Sequence, residues 1–231
     1  MPSAVLLSGG LDSAVLLAEE AAVDDTQPIY VSVGLAWEAA ERAATELLLA
    51  SRALGPRVRP LVSLSVDMTD VYPAAHWART GRAPGYHTPD EDVYLPGRNI
   101  VLLGKAGVFC AAAGIGRLVI GTLDHNPFPD ATPAFRNAFA SALSLGLAHA
   151  IQIAAPYAQV GKAEVIRRGQ QAGVPFELTL SCMNPTLEDA VPRHCGLCSK
   201  CRERHDAFLE AQVADPTDYV DERYVKGNPK I

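Results

Sequence analysis

Residues 5–13 read VLLSGGLDS, and the character of the chain changes within this stretch. An apolar run ends at Leu7, two glycines follow, and a second, longer apolar run begins near Leu11. This order predicts a β-strand joined by a tight turn to an α-helix. Backbone N–H groups in such a turn can point into one concavity, which binds an anion because glycine leaves it unfilled. The stretch therefore predicts a phosphate cradle, formed by Ser8, Gly9, Gly10, Leu11, Asp12 and Ser13.

The carboxylate of Asp12 makes this turn suited to a metal as well as to phosphate. Phosphate would repel Asp12, and an Mg²⁺ ion between the two groups would remove that repulsion. A Walker P-loop requires the sequence Gly-Lys-Ser/Thr, which the turn lacks. The two Gly-Lys pairs of the chain, at 104–105 and 161–162, are both followed by alanine, so neither completes that motif. It also lacks the G-x-G-x-x-G pattern of dinucleotide-binding folds. The alternative interpretation is a glycine-rich turn that only packs tightly.

Composition and charge restrict the class of protein. With 231 residues, of which 48% are hydrophobic, we expect one main domain with at most a small appendage. The formal net charge of -6 is opposite to that of a surface built to bind a phosphate backbone, so we expect no nucleic acid partner. No apolar run approaches the roughly 18 residues of a membrane span, and no basic segment leads into an apolar one at the start. We therefore expect a cytoplasmic protein without a membrane span.

Strand-length and helix-length runs alternate along the chain, which predicts an α/β fold with a Rossmann-like, doubly wound parallel sheet. The predicted strands are 4–7, 29–33, 58–66, 118–120 and 151–154, and the predicted helices are 13–22, 36–54, 100–113, 134–147 and 162–171. Thr132 is the expected cap of the helix that starts at Pro133. The Gly-, Pro- and His-rich segment 70–97 predicts a long irregular loop, of the kind that often covers a binding site.

Four cysteines near the C-terminus have the spacing Cys182-x12-Cys195-x2-Cys198-x2-Cys201. Four thiolates form a closed tetrahedral site, so the pattern predicts structural rather than catalytic Zn²⁺. Redox-active or unligated thiols are the alternative. We therefore expect a main domain over residues 1–176 and a zinc-binding, helical appendage over residues 177–231. Cys110 lies in an apolar helical run and is expected to be a buried free cysteine.

Segments from both ends of the chain resemble one family when taken together. They are SGGLDS at 8–13, LPGRN at 95–99, VGKAEVI at 160–166, and LTLSC at 178–182 followed by the cysteine tail. The first is similar to the pyrophosphate loop of N-type ATP pyrophosphatases, the PP-loop or adenine nucleotide alpha hydrolase-like superfamily. The whole set resembles the 7-cyano-7-deazaguanine synthase family of queuosine biosynthesis. The resemblance implies an enzyme that converts 7-carboxy-7-deazaguanine to the nitrile with ATP, Mg²⁺ and ammonia, with one structural zinc.

The resemblance also implies roles for residues outside the cradle. Asp12, Arg98 and Lys162 would be catalytic, Val33 and Asn99 would contact ATP, and Asp130 would contact the acid. Self-association into a homodimer is a further implication. The alternatives are structural: Arg98 and Asn99 as helix-capping residues, Lys162 as a solvated first-turn residue, and Asp130 as a turn residue.

The segment GLAWEAAE at 34–41 departs from the family, which has a Tyr-Gly-Gln stretch with basic residues there. Trp37 and Glu38 are therefore expected to face the substrate, with Trp37 as an ordinary core residue in the alternative. This departure leaves open a paralogous ligase that adenylates or amidates a different carboxylate. A nucleotide-binding protein without catalysis is another alternative, although Asp12 argues against it. A tRNA thiolase is disfavoured by the acidic balance.

Overall fold

The computed structural model describes residues 2–225, apart from the side chain of Asp90. The strands are β1 Ser3–Leu6, β2 Thr26–Ser32, β3 Val62–Ser65, β4 Arg117–Val119, β5 Gln152–Ala154, β6 Thr186–Glu188 and β7 Val191–Arg193. The α-helices are α1 Leu11–Val23, α2 Glu38–Ala50, α3 Trp77–Thr80, α4 Arg98–Ala112, α5 Pro133–Leu147, α6 Lys162–Gln171 and α7 Ser199–Ala211. Three short 3₁₀ turns cover Asp90–Val93, Pro129–Ala131 and Phe176–Leu178. Among these residues, no helix has both the length and the apolar character to cross a membrane.

The first five strands form one sheet in the order β3-β2-β1-β4-β5, and every neighbouring pair is parallel. The predicted Rossmann-like α/β fold is thereby confirmed. The chain adds strands to one side of β1 up to β3 and then returns to the other side with β4. In open parallel sheets, ligands bind beyond the carboxyl ends of the strands at such a switch point. The turn after β1 and the loop after β4 therefore border the expected binding crevice.

Two apolar cores cover the two faces of the sheet, and β1 contributes to both. Ala4 and Leu6 belong to the core shared with α4 and α5, whereas Val5 and Leu7 belong to the core shared with α1 and α6. This alternation follows from the two-residue period of a strand. The central strand is buried on both faces, so β1 is a rigid base for the turn that follows it.

The C-terminal segment combines a hairpin of β6 and β7 with α7. Phe208 of α7 is fully buried in the core that contains α1 and α6, and its ring packs edge-on against Phe176 with centroids 5.3 Å apart. The tail therefore shares a core with the main domain. The division into 1–176 and 177–231 stays a prediction.

Some elements differ from the expected ones. The third strand was expected over 58–66, but β3 spans only Val62–Ser65 because Pro60 has no N–H for strand pairing. The loop 70–97 is mostly irregular, as expected, yet it contains the single turn of α3. Thr132 does cap α5, since its Oγ1 accepts from the N–H of Phe135 at 3.2 Å.

Candidate active site

A cavity of about 400 Å³ opens at the switch point of the sheet. Its walls come from the turn after β1, the loop after β4, and the starts of α4, α6 and α7. The sequence-predicted residues that line it are Ser8, Gly10, Asp12, Ser13, Trp37, Arg98, Asn99, Asp130, Lys162 and the predicted zinc ligand Cys182. Residues from nearly the whole length of the chain therefore meet at the place where an α/β sheet binds its ligand.

The glycine turn has the backbone geometry of an anion cradle. Gly9 has φ +73°, and a Cβ there would lie 2.7 Å from Thr45 Oγ1 and 3.0 Å from the carbonyl oxygen of Glu41. Only glycine satisfies both requirements. Gly10 is the N-cap of α1 and offers no side chain to the first turn of the helix, whose N–H groups have no intrahelical partner. Ser8, Gly10, Asp12 and Ser13 line the cavity, so the positive end of the α1 helix dipole lies at its wall.

Lys162 connects the turn to the C-terminal segment. Its Nζ donates to Asp12 Oδ2 at 3.0 Å and to Glu203 Oε1 at 2.8 Å, and Lys200 donates to the second oxygen of Glu203. Burial disfavours the charged lysine, but the two carboxylates outweigh it and raise the pKa of Lys162 above its usual range. Burial likewise opposes ionisation of Glu203, yet Lys162 and Lys200 lower its pKa to about 2. Lys162 and Glu203 therefore stay charged at neutral pH despite their burial.

Asp12 keeps one oxygen for a ligand. Its Oδ2 accepts from Lys162, whereas Oδ1 is buried and has no hydrogen-bond partner within residues 2–225. Since an unpartnered buried carboxylate oxygen is costly, a bound group is expected to satisfy it. An oxygen-binding cation such as Mg²⁺ fits this position.

Asp130 and Asn99 hold each other and thereby fix the start of α4. Asp130 is buried; its carboxylate accepts from the backbone N–H of Asn99 at 3.1 Å and from the Asn99 side-chain amide at 3.2 Å. Arg98, the first residue of α4, lines the cavity, and its Nε is buried without a partner in the described part of the chain. Arg98 is therefore oriented by the Asn99–Asp130 pair and available to an anionic ligand.

Trp37 and Glu38 are adjacent in sequence but have different surroundings. Trp37 lines the cavity and stacks on Trp77, with ring centroids 5.5 Å apart and planes inclined by 5°. Glu38 instead accepts from Ser32 Oγ and, at 2.8 Å, from the backbone N–H of Val33. Glu38 and Val33 thus bond each other, and neither lines the cavity.

Glu41 lines the cavity one helical turn after Trp37, although its position was not predicted from the sequence. Its carboxylate accepts from Trp37 Nε1 at 3.0 Å and from the Tyr30 hydroxyl at 3.1 Å. Burial raises its pKa, while Arg98 opposes that shift. The four-residue spacing of Trp37 and Glu41 was the available signal, because such residues share a helix face.

The four C-terminal cysteines form one buried cluster, with all four Sγ atoms within 4.8 Å of one another. The Sγ distances are 3.9 Å for Cys182–Cys198, 3.9 Å for Cys195–Cys201 and 3.5 Å for Cys198–Cys201. A tetrahedral ion with Zn–S bonds of about 2.3 Å requires sulfur separations of about 3.8 Å. The cluster therefore has the ligand type and spacing of a structural zinc site.

A parallel α/β sheet with this glycine turn at its switch point and a four-cysteine tail defines a protein of the PP-loop class. The chain belongs to the queuosine biosynthesis protein QueC family, whose model matches residues 3–212. The resemblance found from the sequence is thereby confirmed, and the family match places the chain in queuosine biosynthesis.

Curated relatives match over nearly their full length. A 7-cyano-7-deazaguanine synthase from Azoarcus sp. (strain BH72) is 34% identical over 232 residues, which cover 93% of this chain and 95% of that protein. The enzymes of the same name from Anaeromyxobacter dehalogenans and Methanopyrus kandleri are each 32% identical, covering 94% of this chain and 94% and 98% of theirs. A solved structure titled as a predicted subunit of tRNA methyltransferase from Methanocaldococcus jannaschii has a TM-score of 0.43, 17% identity, and coverage of 96% and 94% of the two chains. The fold assignment rests on the sheet order rather than on this weak likeness.

Proposed function

We propose that the chain is an ATP-dependent carbon–nitrogen ligase that converts 7-carboxy-7-deazaguanine, with ammonia, to 7-cyano-7-deazaguanine. One observation carries the proposal: the glycine turn, the Asp12–Lys162 pair and Arg98, whose buried Nε has no partner among the described residues, line a single cavity. This arrangement offers donors for a triphosphate and for a carboxylate within one site. The names of the relatives give the product, 7-cyano-7-deazaguanine, and the acid is the one that the sequence resemblance implies.

The nucleotide would bind with its phosphates in the turn of residues 8–13. Backbone N–H groups there would donate to phosphate oxygens, and such bonds to charged acceptors contribute about 1.5–3 kcal/mol each. Two of the three N–H donors of Lys162 are engaged with Asp12 and Glu203, which leaves the third for a phosphate oxygen. Because the Val33 N–H is bonded to Glu38, the adenine would lie against Val31, which lines the cavity.

Asp12 is the proposed ligand for Mg²⁺, since its Oδ1 is buried and has no hydrogen-bond partner in the part of the chain that the structure describes. Bound Mg²⁺ would polarise the phosphates and neutralise charge on the leaving pyrophosphate. Asp12 also orients Lys162 through the 3.0 Å contact. The residue would thus serve both the metal and the lysine, and a substitution there would affect both.

The acid would enter between the nucleotide and Arg98. A guanidinium offers a planar pair of donors that matches a carboxylate, so Arg98 would hold the acid with one oxygen directed at the α-phosphorus. That oxygen bonds to phosphorus while the bond to pyrophosphate breaks, giving an acyl adenylate. Ammonia then attacks the acyl carbon, AMP leaves with the carboxylate oxygen, and a proton is released. The product of this first half is the amide.

The second half repeats the activation on the amide. The amide oxygen attacks the α-phosphorus of a second ATP, pyrophosphate leaves, and the nitrogen gives up a proton. Loss of AMP, which carries the amide oxygen, and of the remaining N–H proton forms the carbon–nitrogen triple bond. The net change is loss of water from the amide, coupled to cleavage of ATP to AMP and pyrophosphate. One phosphate cradle suits both halves because the same bond to phosphorus forms each time.

Trp37, Trp77 and Glu41 would form the wall for the heterocycle of the acid. The ring of 7-carboxy-7-deazaguanine is planar and presents N–H donors at its pyrimidine edge. Stacked indoles provide a flat apolar surface, and a carboxylate accepts from such donors. Glu38 would act indirectly, by fixing the start of α2, which Trp37 directly precedes. The homodimer and the cytoplasmic location stay predictions.

The proposal is tested with purified protein, ATP, Mg²⁺, ammonia and 7-carboxy-7-deazaguanine. Pyrophosphate release is measured continuously, and the products are identified by mass spectrometry. We expect two pyrophosphates per nitrile formed, with the amide accumulating when ATP is limiting. Reactions without ammonia or without the acid are the controls. Turnover with another carboxylate but none with this acid would contradict the assigned substrate, and no acid-dependent pyrophosphate release with any acid would contradict the class of reaction.

A further inference from the structure

We propose that the cysteine-rich segment completes the active site with two side chains of α7: Lys200, which binds phosphates of the nucleotide, and Glu203, a positioning residue that orients Lys162. The inference rests on the proposed function in taking the nucleotide to be ATP. It assigns the zinc-binding tail a role in nucleotide binding beyond that of a structural appendage.

The first turn of α7 is fixed by two of the four cysteines. The helix begins directly after Cys198 and contains Cys201, so two ligands of the metal cluster fix its first turn. Lys200 and Glu203 lie three residues apart on the helix face that lines the cavity. A metal-bound first turn therefore presents both side chains to the phosphate cradle.

Neighbouring residues on α7 hold the helix in this orientation. Arg202 donates to the carbonyl oxygens of Tyr86 and Thr88, at 2.8 and 3.0 Å. Arg204 is fully buried and donates to the carbonyl oxygen of Phe176 at 2.8 Å, among other bonds. Lys200 and Glu203 are thus presented by a helix anchored on both sides, which lowers the entropic cost of using them.

Four ionisable side chains beside the phosphate cradle balance one another in charge. Asp12, Lys162, Glu203 and Lys200 form a chain of alternating sign whose formal charges cancel. Lys162 is shared between two carboxylates, whereas Lys200 contacts only one among the described residues, which leaves two of its N–H donors for a ligand. Without Lys200, two carboxylates and one ammonium would remain beside the cradle, and their net negative charge would repel phosphate. Lys200 is therefore the cation that makes this cluster compatible with a triphosphate.

Glu203 acts through Lys162 rather than on the nucleotide. Its Oε1 lies 2.8 Å from Lys162 Nζ and holds the ammonium beside Asp12. Replacing Glu203 with Gln would remove one negative charge near the phosphates and loosen the orientation of Lys162. Lys200→Gln should therefore weaken nucleotide binding whereas Glu203→Gln should not, a difference that a general loss of structure would not produce.

The experiment measures binding of α,β-methylene-ATP with Mg²⁺ by calorimetry, since the bond that adenylation breaks is blocked in this analogue. Lys200→Gln should weaken binding about tenfold, as expected for loss of a charged donor. Lys200→Arg should restore most of the affinity because the charge is kept. Lys105→Gln, at an exposed lysine of α4, is the matched control and should bind like the wild type.

Glu203→Gln should leave the affinity for the analogue unchanged or raise it about threefold, because a nearby repulsion is removed. With ATP and the acid, it should lower kcat at least about tenfold without raising KM for ATP. Glu210→Gln, at an exposed glutamate of the same helix, is its control. Zinc content is measured for each variant to establish that the cysteine cluster is intact.

Wild-type affinity in Lys200→Gln, or equal weakening in Lys200→Gln and Glu203→Gln with zinc retained, would overturn the proposal. Failure of the proposed function is distinguished from this result because the binding measurement does not involve the acid. A wild-type protein that binds the analogue but does not turn over 7-carboxy-7-deazaguanine contradicts the function alone. A wild-type protein that does not bind the analogue contradicts both.

Discussion

The carboxylate of Asp12 and the ammonium of Lys162 lie 3.0 Å apart although 150 positions separate them in the chain. Asp12 stands in the first turn of α1 and Lys162 begins α6, and the two helices pack on the same face of the sheet. The doubly wound topology places both helix starts at the carboxyl edge of the strands. The pair therefore exists because of the fold, and it defines where the phosphates would bind.

The Asp12–Lys162 pair predicts the effect of Asp12→Asn. The change removes the proposed ligand for Mg²⁺ and weakens the hold on Lys162, so kcat for pyrophosphate release should fall by at least about a hundredfold. Thermal unfolding should change much less than activity, because the amide oxygen can still accept from Lys162 and Glu203 remains its charged partner. Asp206→Asn, at an exposed position of α7, is the control and should keep wild-type activity. Turnover of Asp12→Asn within a few-fold of the wild type would argue against the assignment.

Gly9 predicts a stability effect that can be separated into two parts. Gly9→Ala forces an alanine into φ +73° and places its Cβ 2.7 Å from Thr45 Oγ1. The backbone conformation alone costs about 1–2 kcal/mol, and the close contact should add to it. Gly173→Ala is the matched control, since Gly173 has φ +69° and an added Cβ there meets nothing within 4 Å. The free energy of unfolding, measured in urea, should fall more for Gly9→Ala than for Gly173→Ala. Equal decreases in the two variants would contradict a steric clash at Gly9.

The cysteine cluster predicts one zinc per chain and a strong dependence of folding on it. Binding at four-ligand sites reaches an apparent free energy of about 10–16 kcal/mol, comparable to the stability of a whole domain. Cys198→Ser should therefore lose zinc, measured by elemental analysis, and α7 should lose its protection from proteolysis. Cys110→Ala, at a buried cysteine outside the cluster, should keep the zinc. Zinc retained at full stoichiometry in Cys198→Ser would show that the cluster is not the binding site.

The same cluster predicts that zinc affinity rises with pH. Burial raises the pKa of the Cys182 thiol, so the metal-free cluster holds protons that zinc must displace. Competition with a chelator of known affinity, measured between about pH 6 and about pH 8, should show tighter zinc binding at the higher pH. An affinity independent of pH would contradict coordination by thiolates.

Glu41 predicts a pH dependence of stability. Burial raises its pKa above the ordinary value of 4.5, so in the pH window just above that value the folded chain holds a proton that the unfolded chain has lost. The contribution of Glu41 to stability therefore decreases as pH rises through this window. Glu41→Gln should remove that part of the dependence, whereas Glu46→Gln, at an exposed position of α2, should leave it. The free energy of unfolding in urea, measured for each protein across the window, gives the comparison.

Local patterns in the sequence predicted the parts of the site that are local in the structure. The glycine turn and the Cys-x-x-Cys spacing each lie within one short segment, so their geometry follows from their own residues. Glu203 could not be found in this way, because its contact with Lys162 depends on how α7 packs against the sheet. Glu38 was expected at the cavity and Glu41 was not, because a helix rotates by about 100° per residue and the pattern did not fix the phase of α2; in the structure Glu41 lines the cavity. The hydrogen bonds of Glu38 to Ser32 and to the Val33 N–H, which hold its carboxylate away from the cavity, are visible only in the folded structure.

The most direct test of acid activation by AMP transfer follows the oxygen atoms. The acid is labelled with ¹⁸O in both carboxylate positions, incubated with the protein, ATP, Mg²⁺ and ammonia, and the AMP is examined by mass spectrometry. The account predicts one ¹⁸O in the phosphate of each AMP and none in pyrophosphate, because each activation transfers one oxygen of the acid to the α-phosphorus. AMP without label, or label in pyrophosphate or orthophosphate, would contradict it.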